Sequence, residues 1–380
     1  MDALQAATKT RSRFPIRTPT APTPLPDDSE AAEAPDDSAP YVMGAGLTTL
    51  DAIWSGDPEQ EPMFRAGGTC GNVLTILAAM GWMAYPVAQL GRDPAGDRLR
   101  RDWERWGVRL DFTSFDSEAA TPVIFQRLDG GPDPIFFRAC PRCGTIPPWH
   151  RPISEETVIT LARDRRMPRL SAFFFDQPTA SAVALARVCA EQGALVMFEP
   201  PIAQPLTLVK EAVEIAHMVK WSQQDLGGVV QMEAWTKSKL LSIHTLGGLG
   251  LRWRRGPARG DVEAPGWRTS AASPASVVND AAGCGDWCSA ALLHRLGRLG
   301  PTGLGNATDD AIETAIRDAQ AWASWNCRFF GARGGMVPPF VPLAPRDEPR
   351  IRPSTSLCPF CLQAPATAGV AEVLGDKASQ

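Results

Sequence analysis

The chain has no uninterrupted apolar run of the roughly 18 residues needed to cross a bilayer, and no apolar core follows its first residues, which carry Asp2. The first absence argues against a membrane span. The second argues against a secretory leader, so the expected location is cytoplasmic. Positive charge is not in excess either: the formal net charge is −4, with no long basic stretch. Neither nucleic acid nor a membrane surface is therefore an expected partner. Arg252, Arg254 and Arg255 make only a short cluster, which reads as a solvated strand end. No internal repeat is visible. Cysteine is present nine times, but a chain of this type gives no reason to expect a disulfide framework.

What is present is an ordinary globular composition over 380 residues, room for one large domain or two medium ones. Residues 1–40 read as a disordered N-terminal arm. Thr18-Pro19-Thr20-Ala21-Pro22-Thr23-Pro24 and the acidic, Ala/Pro-rich stretch from Asp27 to Pro40 have little to bury. Residues 341–380 form a C-terminal extension with a loose end. Between them short apolar strands alternate with helical periodicity. Tyr41 to Gly46, Tyr85 to Leu90, Ala172 to Phe175, Ala194 to Phe198, His217 to Lys220 and Leu240 to His244 read as strands. Asn72 to Met80, Ala180 to Cys189, 284–297 and 308–328 read as helices. Repeated βα units imply an α/β fold of three layers, a mostly parallel central sheet flanked by helices. The span of about 109–145 breaks the alternation. Thr121 to Arg127 and Pro134 to Arg138 suggest a hairpin around Asp129-Gly130-Gly131, a small β flap or lid outside the sheet.

Asp280-Ala281-Ala282-Gly283-Cys284-Gly285-Asp286 opens the helical run Trp287 to Leu293. Glycines let backbone N–H groups approach an anion, and a helix N-terminus favours negative charge there. An acid at that place would repel a bound phosphate unless it has another task, such as taking a proton from an attacking hydroxyl. The plainer alternative is an acid in the first turn after a Gly turn. Three more Gly-rich turns precede helices or follow strands: Gly67-Gly68 with Asn72, Gly91 to Gly96, and Thr245-Leu246-Gly247-Gly248-Leu249-Gly250. Singly, each is weak.

In order and spacing, these turns resemble the ribokinase-like (PfkB) carbohydrate kinase family across about 41–340. Asp280 to Asp286 resembles its Asp-Thr-x-Gly-Ala-Gly-Asp signature, and Gly67, Gly68 and Asn72 its Gly-Gly-x-x-x-Asn. Thr245, Gly247 and Gly250 resemble its Thr-x-Gly-x-x-Gly. The resemblance implies a ribokinase-like fold and an ATP-dependent, Mg²⁺-assisted transfer to a sugar hydroxyl. It implies Asp286 as catalytic base, N–H groups of Gly283, Cys284 and Gly285 as anion hole, and Asp51, Gly67, Gly68 and Asn72 as substrate-binding. Nucleotide and Mg²⁺ roles fall on Ser222, Asp225, Thr245, Gly247, Gly250 and Asp280. Ser222 and Asp225 stand where the family's Asn-x-x-Glu is usual, while Ala281 and Cys284 replace Thr and Ala. A homodimer is within the family's habits. Two other functions stay open: a nucleoside kinase, with Phe136, Phe137 and Trp149 near the flap to stack a base, and a kinase-fold regulatory protein.

Cys140-Pro141-Arg142-Cys143-Gly144 and Cys358-Pro359-Phe360-Cys361 lie outside that resemblance. Two Cys-x-x-Cys turns supply four thiolates for a tetrahedral Zn²⁺, here expected to join the C-terminal extension to the lid. The alternatives are a redox pair at each locus, or cysteines that never meet. For Cys284, the helix N-terminus predicts a lowered thiol pKa.

Overall fold

The computed structural model describes residues 39–54, 62–128, 133–141, 143–164, 167–201, 206–222, 229–257 and 265–336. The N-terminal arm, the 129–131 turn and the C-terminal extension lie outside these. In chain order the strands are β1 (Tyr41–Ala45), β2 (Thr49–Trp54), β3 (Met63–Gly67), β4 (Met83–Pro86), β5 (Ala88–Gly91), β6 (Thr113–Asp116), β7 (Val123–Arg127) and β8 (Ile135–Phe137). They continue with β9 (Ala172–Phe175), β10 (Leu195–Phe198), β11 (Met218–Ser222), β12 (Leu241–Thr245), β13 (Leu251–Arg255) and β14 (Arg268–Ser270). The helices are α1 (Thr69–Ala79), α2 (Pro94–Arg105), α3 (Glu155–Arg163), α4 (Ala180–Glu191), α5 (Leu206–Ile215), α6 (Val229–Trp235), α7 (Cys284–Leu296), α8 (Gly300–Asn306) and α9 (Asp309–Asn326).

The large sheet runs β14-β13-β12-β11-β10-β9-β1-β4. It is parallel from β12 to β4, and β13 and β14 continue it antiparallel. Its central strands read as continuous apolar runs because both faces are covered. Strand alternation then deals neighbouring side chains to opposite layers. Phe174 joins Val42, Met197 and Ile243 under α1, α7 and α9. Phe173 and Phe175 join Met43, Val196 and Val219 under α4 and α5. This is the three-layer α/β arrangement expected from the sequence, and the parallel strands named there are present apart from Tyr85 to Leu90, which divides.

A second sheet, β3-β2-β7-β8, stands apart. The hairpin expected around 129–131 is there as the antiparallel β7–β8 pair. The other half of this sheet comes from β2 and β3, upstream of the 109–145 span and not read as strands from the sequence. The single expected strand Tyr85 to Leu90 is two: β4 belongs to the large sheet, while β5 pairs with β6. Residue Val87 breaks the run, its N–H bonding to the Gly44 carbonyl. The second sheet packs on α2 through Leu50, Phe125, Leu99 and Trp103. Asp93 caps α2 by accepting from the Gly96 N–H at 2.7 Å and holds the Thr121 N–H with its other oxygen, so the Gly91 to Gly96 turn is a structural joint.

Candidate active site

Parallel strands present their C-terminal ends to a common crevice, where open α/β sheets bind ligands. Here that crevice is a cavity of about 540 Å³ beneath the smaller sheet. Among the described residues four carboxylates face it: Asp51 from β2, Asp176 just after β9, Glu199 just after β10, and Asp286 in the first turn of α7. Gly68, Asn72 and Gly283 line it too, so the structure brings together residues from both ends of the chain. Phe136, Trp149 and Pro134 close its outer side.

Each carboxylate has a distinct setting. Asn72 donates to Asp286 Oδ2 at 2.7 Å. Burial pushes Asp286 well above the usual carboxylate range and Glu199 and Asp176 add to this, while the Asn72 bond and Lys220 oppose it. Asp51 accepts from the Thr49 hydroxyl at 2.7 Å. Burial raises it to about 6 against that bond and the Arg333 charge. Asp176 takes the Leu47 N–H at 2.7 Å, and burial lifts it to about 7. Glu199 receives Lys220 Nζ at 2.5 Å and the Ser289 hydroxyl at 2.6 Å. Burial works against the Lys220 ammonium, but Glu199, Cys288 and Asp286 together outweigh it and the pKa is raised.

Glycines help shape the site. Gly283, the residue before α7, has φ 74°, and a Cβ there would lie 2.3 Å from the Ala332 carbonyl. At Gly67 a Cβ would sit 2.0 Å from the Asp51 carboxyl carbon, so any larger residue there would push that acid aside. Gly67 is thus a support for Asp51, whereas Gly68 itself lines the cavity.

Asp280 is a clasp. One oxygen accepts from Ala282 N–H at 2.8 Å; the other accepts from Gln126 of β7 and from Gly331 N–H, both at 2.7 Å. It therefore fastens the Gly283–Gly285 loop to the smaller sheet and to the Gly331 turn, and it is not among the residues lining the cavity. Ser222 and Thr245 are register partners at the ends of β11 and β12. The following turn holds Gly247 at φ 59° and Gly250 at φ 97°. These form a second group, and none of them lines the carboxylate cavity. Asp225 lies outside the described residues.

Two cysteine expectations fare differently. The Cys284 thiol is raised, first by its hydrogen bond to Cys327 and then by burial, which overrides the helix terminus. The two sulfurs are 2.6 Å apart. Cys140 and Cys143 do share a tight turn, closed by Gly144 N–H on the Cys140 carbonyl at 2.8 Å. Among the described residues no group of three or more His, Cys, Asp or Glu is arranged to hold a metal ion. Cys358 and Cys361, the other half of the expected zinc site, lie outside the described residues.

Sequence reasoning missed Asp176, Glu199, Lys220, Gln126, Arg333 and Cys327. Two had a signal: Asp176 and Glu199 directly follow buried apolar strands, the place where an open sheet puts ligand-facing groups. Lys220 had another, a charge inside the buried strand Met218–Ser222, which requires a partner.

The chain thus folds as a doubly wound α/β domain with a small sheet over a carboxylate-lined cavity at its strand ends. The profile of the pfkB family carbohydrate kinases matches residues 54–338. The chain belongs to that family. It is 26% identical over 216 residues to "Probable fructokinase-3" of Arabidopsis thaliana, covering 55% of this chain and 58% of that one. It is 26% identical over 280 residues to fructokinase-1 of Oryza sativa subsp. japonica, covering 68% and 80%. The fold superposes on the fructokinase of Xylella fastidiosa with bound ATP at a TM-score of 0.59, with 19% identity over 77% of this chain and 93% of that one. No helix among the described residues is long and apolar enough to cross a membrane.

Proposed function

We propose that the protein transfers the terminal phosphoryl group of ATP to a hydroxyl of an uncharged sugar. The observation that carries this reading is the meeting of Asp286 with Asn72 and Asp51 around one cavity, directly behind the Gly283–Gly285 loop. Asp286 takes the proton of the acceptor hydroxyl, whose oxygen bonds to phosphorus as the bond to the ADP leaving group breaks. Asp51 and Asn72 orient the sugar. The backbone donors of Gly283, Cys284 and Gly285 at the start of α7 neutralise charge on the transferred group. The Thr245–Gly250 turn and Ser222 suit the nucleotide, since two glycines at positive φ let backbone approach a ligand closely. A divalent cation bound with the nucleotide would screen its phosphates; Asp225 and Ser222 are the oxygen donors assigned to it.

The charge of the cavity narrows the acceptor. Among the described residues its lining has four carboxylates and no Arg, Lys or His, so sugar acids and sugar phosphates would find no cationic partner there. Neutral ketoses, as the names of the plant relatives suggest, fit that field. Phe136 and Trp149 on the outer side add room for an aromatic aglycone, which keeps nucleosides in the test panel. The test is ATP-dependent phosphorylation across neutral sugars, nucleosides, sugar acids and sugar phosphates. Turnover confined to the neutral classes supports the reading, and turnover of acids alone rejects it.

A further inference from the structure

Arg333 is 1% exposed and lies outside the cavity lining, in the turn that follows Gly331 and Ala332. Its Nε donates to Asn72 Oδ1 at 3.1 Å. One of its terminal nitrogens bonds both the Asp102 carboxylate of α2 and the Ala66 carbonyl of β3. Asp102 in turn accepts the Ala66 N–H at 2.8 Å, and the Arg333 carbonyl accepts from Arg65 at 3.0 Å. The chain Asp102–Arg333–Asn72–Asp286 thus links α2, the Gly331 turn, α1 and α7.

We propose that Arg333 is a positioning residue for phosphoryl transfer, setting the orientation of the Asn72 amide so that its NH₂ rather than its oxygen faces Asp286. A buried amide has two orientations of similar shape, chosen only by its neighbours. Asp286 as a carboxylate accepts and Arg333 can only donate, so together they admit one orientation. Remove the guanidinium and the amide is free to turn its oxygen toward Asp286, where acceptor meets acceptor. Packing alone does not explain an arginine here. Its other terminal nitrogen is buried with no hydrogen-bond partner among the described residues, a cost that an aliphatic side chain of similar length would not carry.

The groups facing Asp286 are Asn72, Glu199, Lys220 and Asp176; those around Arg333 are Asp102, Arg65 and Asp51. Losing the Asn72 bond removes one of the two influences holding Asp286 down, so the acidic limb of the rate profile moves to higher pH. The inference rests on the kinase reading, and the experiment separates the two. Arg333→Gln and Asn72→Ala are compared singly and together, with thermal melting to check the fold. Arg333→Gln should lower kcat on the order of 10–100-fold, as misplaced catalytic groups do, with a smaller change in KM and an upward shift of the acidic limb. In the Asn72→Ala background it should cost almost nothing more, because Arg333 acts through Asn72. Additive losses, or a wild-type pH profile in Arg333→Gln, overturn the proposal. If Arg333→Gln fails to fold, Arg333→Met with Asp102→Asn removes the donor to Asn72 without stranding the Asp102 charge and should show the same pH shift; a wild-type profile there also overturns it. ¹³C NMR titration of the Asp286 carboxyl, assigned by its absence in Asp286→Asn, needs no turnover. A wild type inactive on every sugar defeats the kinase reading, yet an Asp286 titration unmoved by Arg333→Gln still defeats the positioning role.

Discussion

Asn72 and Asp286 are 214 residues apart in sequence and 2.7 Å apart in space. One lies in the first turns of α1 and the other in the first turn of α7. Those helices pack side by side over the same face of the large sheet, through Val73, Leu74, Ala290 and Leu293. The packing of two apolar helices therefore sets the distance between the amide and the carboxylate that the proposed mechanism uses to orient the sugar and to accept its proton.

Replacing the acceptor tests its role most directly. Asp286→Asn keeps an oxygen for the Asn72 amide and removes the carboxylate. General-base catalysis is worth about 10²–10⁴-fold, so kcat for sugar phosphorylation should fall by at least that range. Nucleotide affinity, measured by calorimetry, should change little. The melting temperature near pH 8 should rise, because the variant no longer forces a buried charge whose pKa is raised in the folded state.

Asp176 makes a related prediction about stability. In the folded protein burial lifts it from 3.8 to about 7. Between those values the unfolded chain has released the proton while the native one still holds it, so stability falls as pH rises through the window and is level above it. The difference between the two values corresponds to on the order of 4 kcal/mol. Asp176→Asn preserves an acceptor for the Leu47 N–H and lacks the titration. Urea unfolding from pH 4 to 8 should show a shallower decline in the variant and higher stability at pH 8. Sugar affinity should weaken, since Asp176 faces the cavity. A variant as unstable as wild type at pH 8 would contradict the burial argument.

The Lys220–Glu199 pair bears on the same cluster. Lys220 is buried in mid-strand, and Glu199 divides its oxygens between it and Ser289. Removing one partner strands the other charge, at a cost of about 3–5 kcal/mol. Lys220→Met should lower the urea midpoint accordingly, and the added Glu199→Gln should restore part of the loss. Two independent losses that simply add would mean the residues are not coupled.

The large sheet was legible because parallel strands covered on both faces are short apolar runs, and Phe173-Phe174-Phe175 or Leu195 to Phe198 admit few other readings. The motif glycines were legible because positive φ and close backbone approach demand them at Gly68 and Gly283. The first half of the smaller sheet was not. Thr49-Leu50-Asp51-Ala52-Ile53 carries an acid mid-strand whose partners, Thr49 and the glycine at 67, become apparent only once β2 and β3 pair. Asp102 and Arg333 were invisible for a similar reason. An acid in the charge-rich helix Pro94–Arg105 and an arginine in a Gly-rich turn both read as solvated until the fold buries them against each other.

Cys284 and Cys327 offer a last test, of how firmly the Gly283–Gly285 loop is seated. Their sulfurs touch at 2.6 Å across 43 residues, and the Cys327 carbonyl already receives N–H bonds from Asn279 at 2.8 Å and Asp280 at 3.1 Å. A thiol oxidant such as diamide takes the two hydrogens onto its N=N bond as the sulfurs join. Peptide mapping should then find a Cys284–Cys327 linkage, while buried Cys70, Cys189 and Cys288 remain thiols. Closing a loop of that length is worth about 4 kcal/mol in the chain-entropy account, so the oxidised protein should melt at a higher temperature. Dithiothreitol should reverse the change, and Cys327→Ser should not respond to diamide at all. Because the linkage forms between atoms already in contact, the loop need scarcely move and the sugar-phosphorylating activity should survive oxidation. Loss of activity in step with the linkage would show that the loop must shift during turnover.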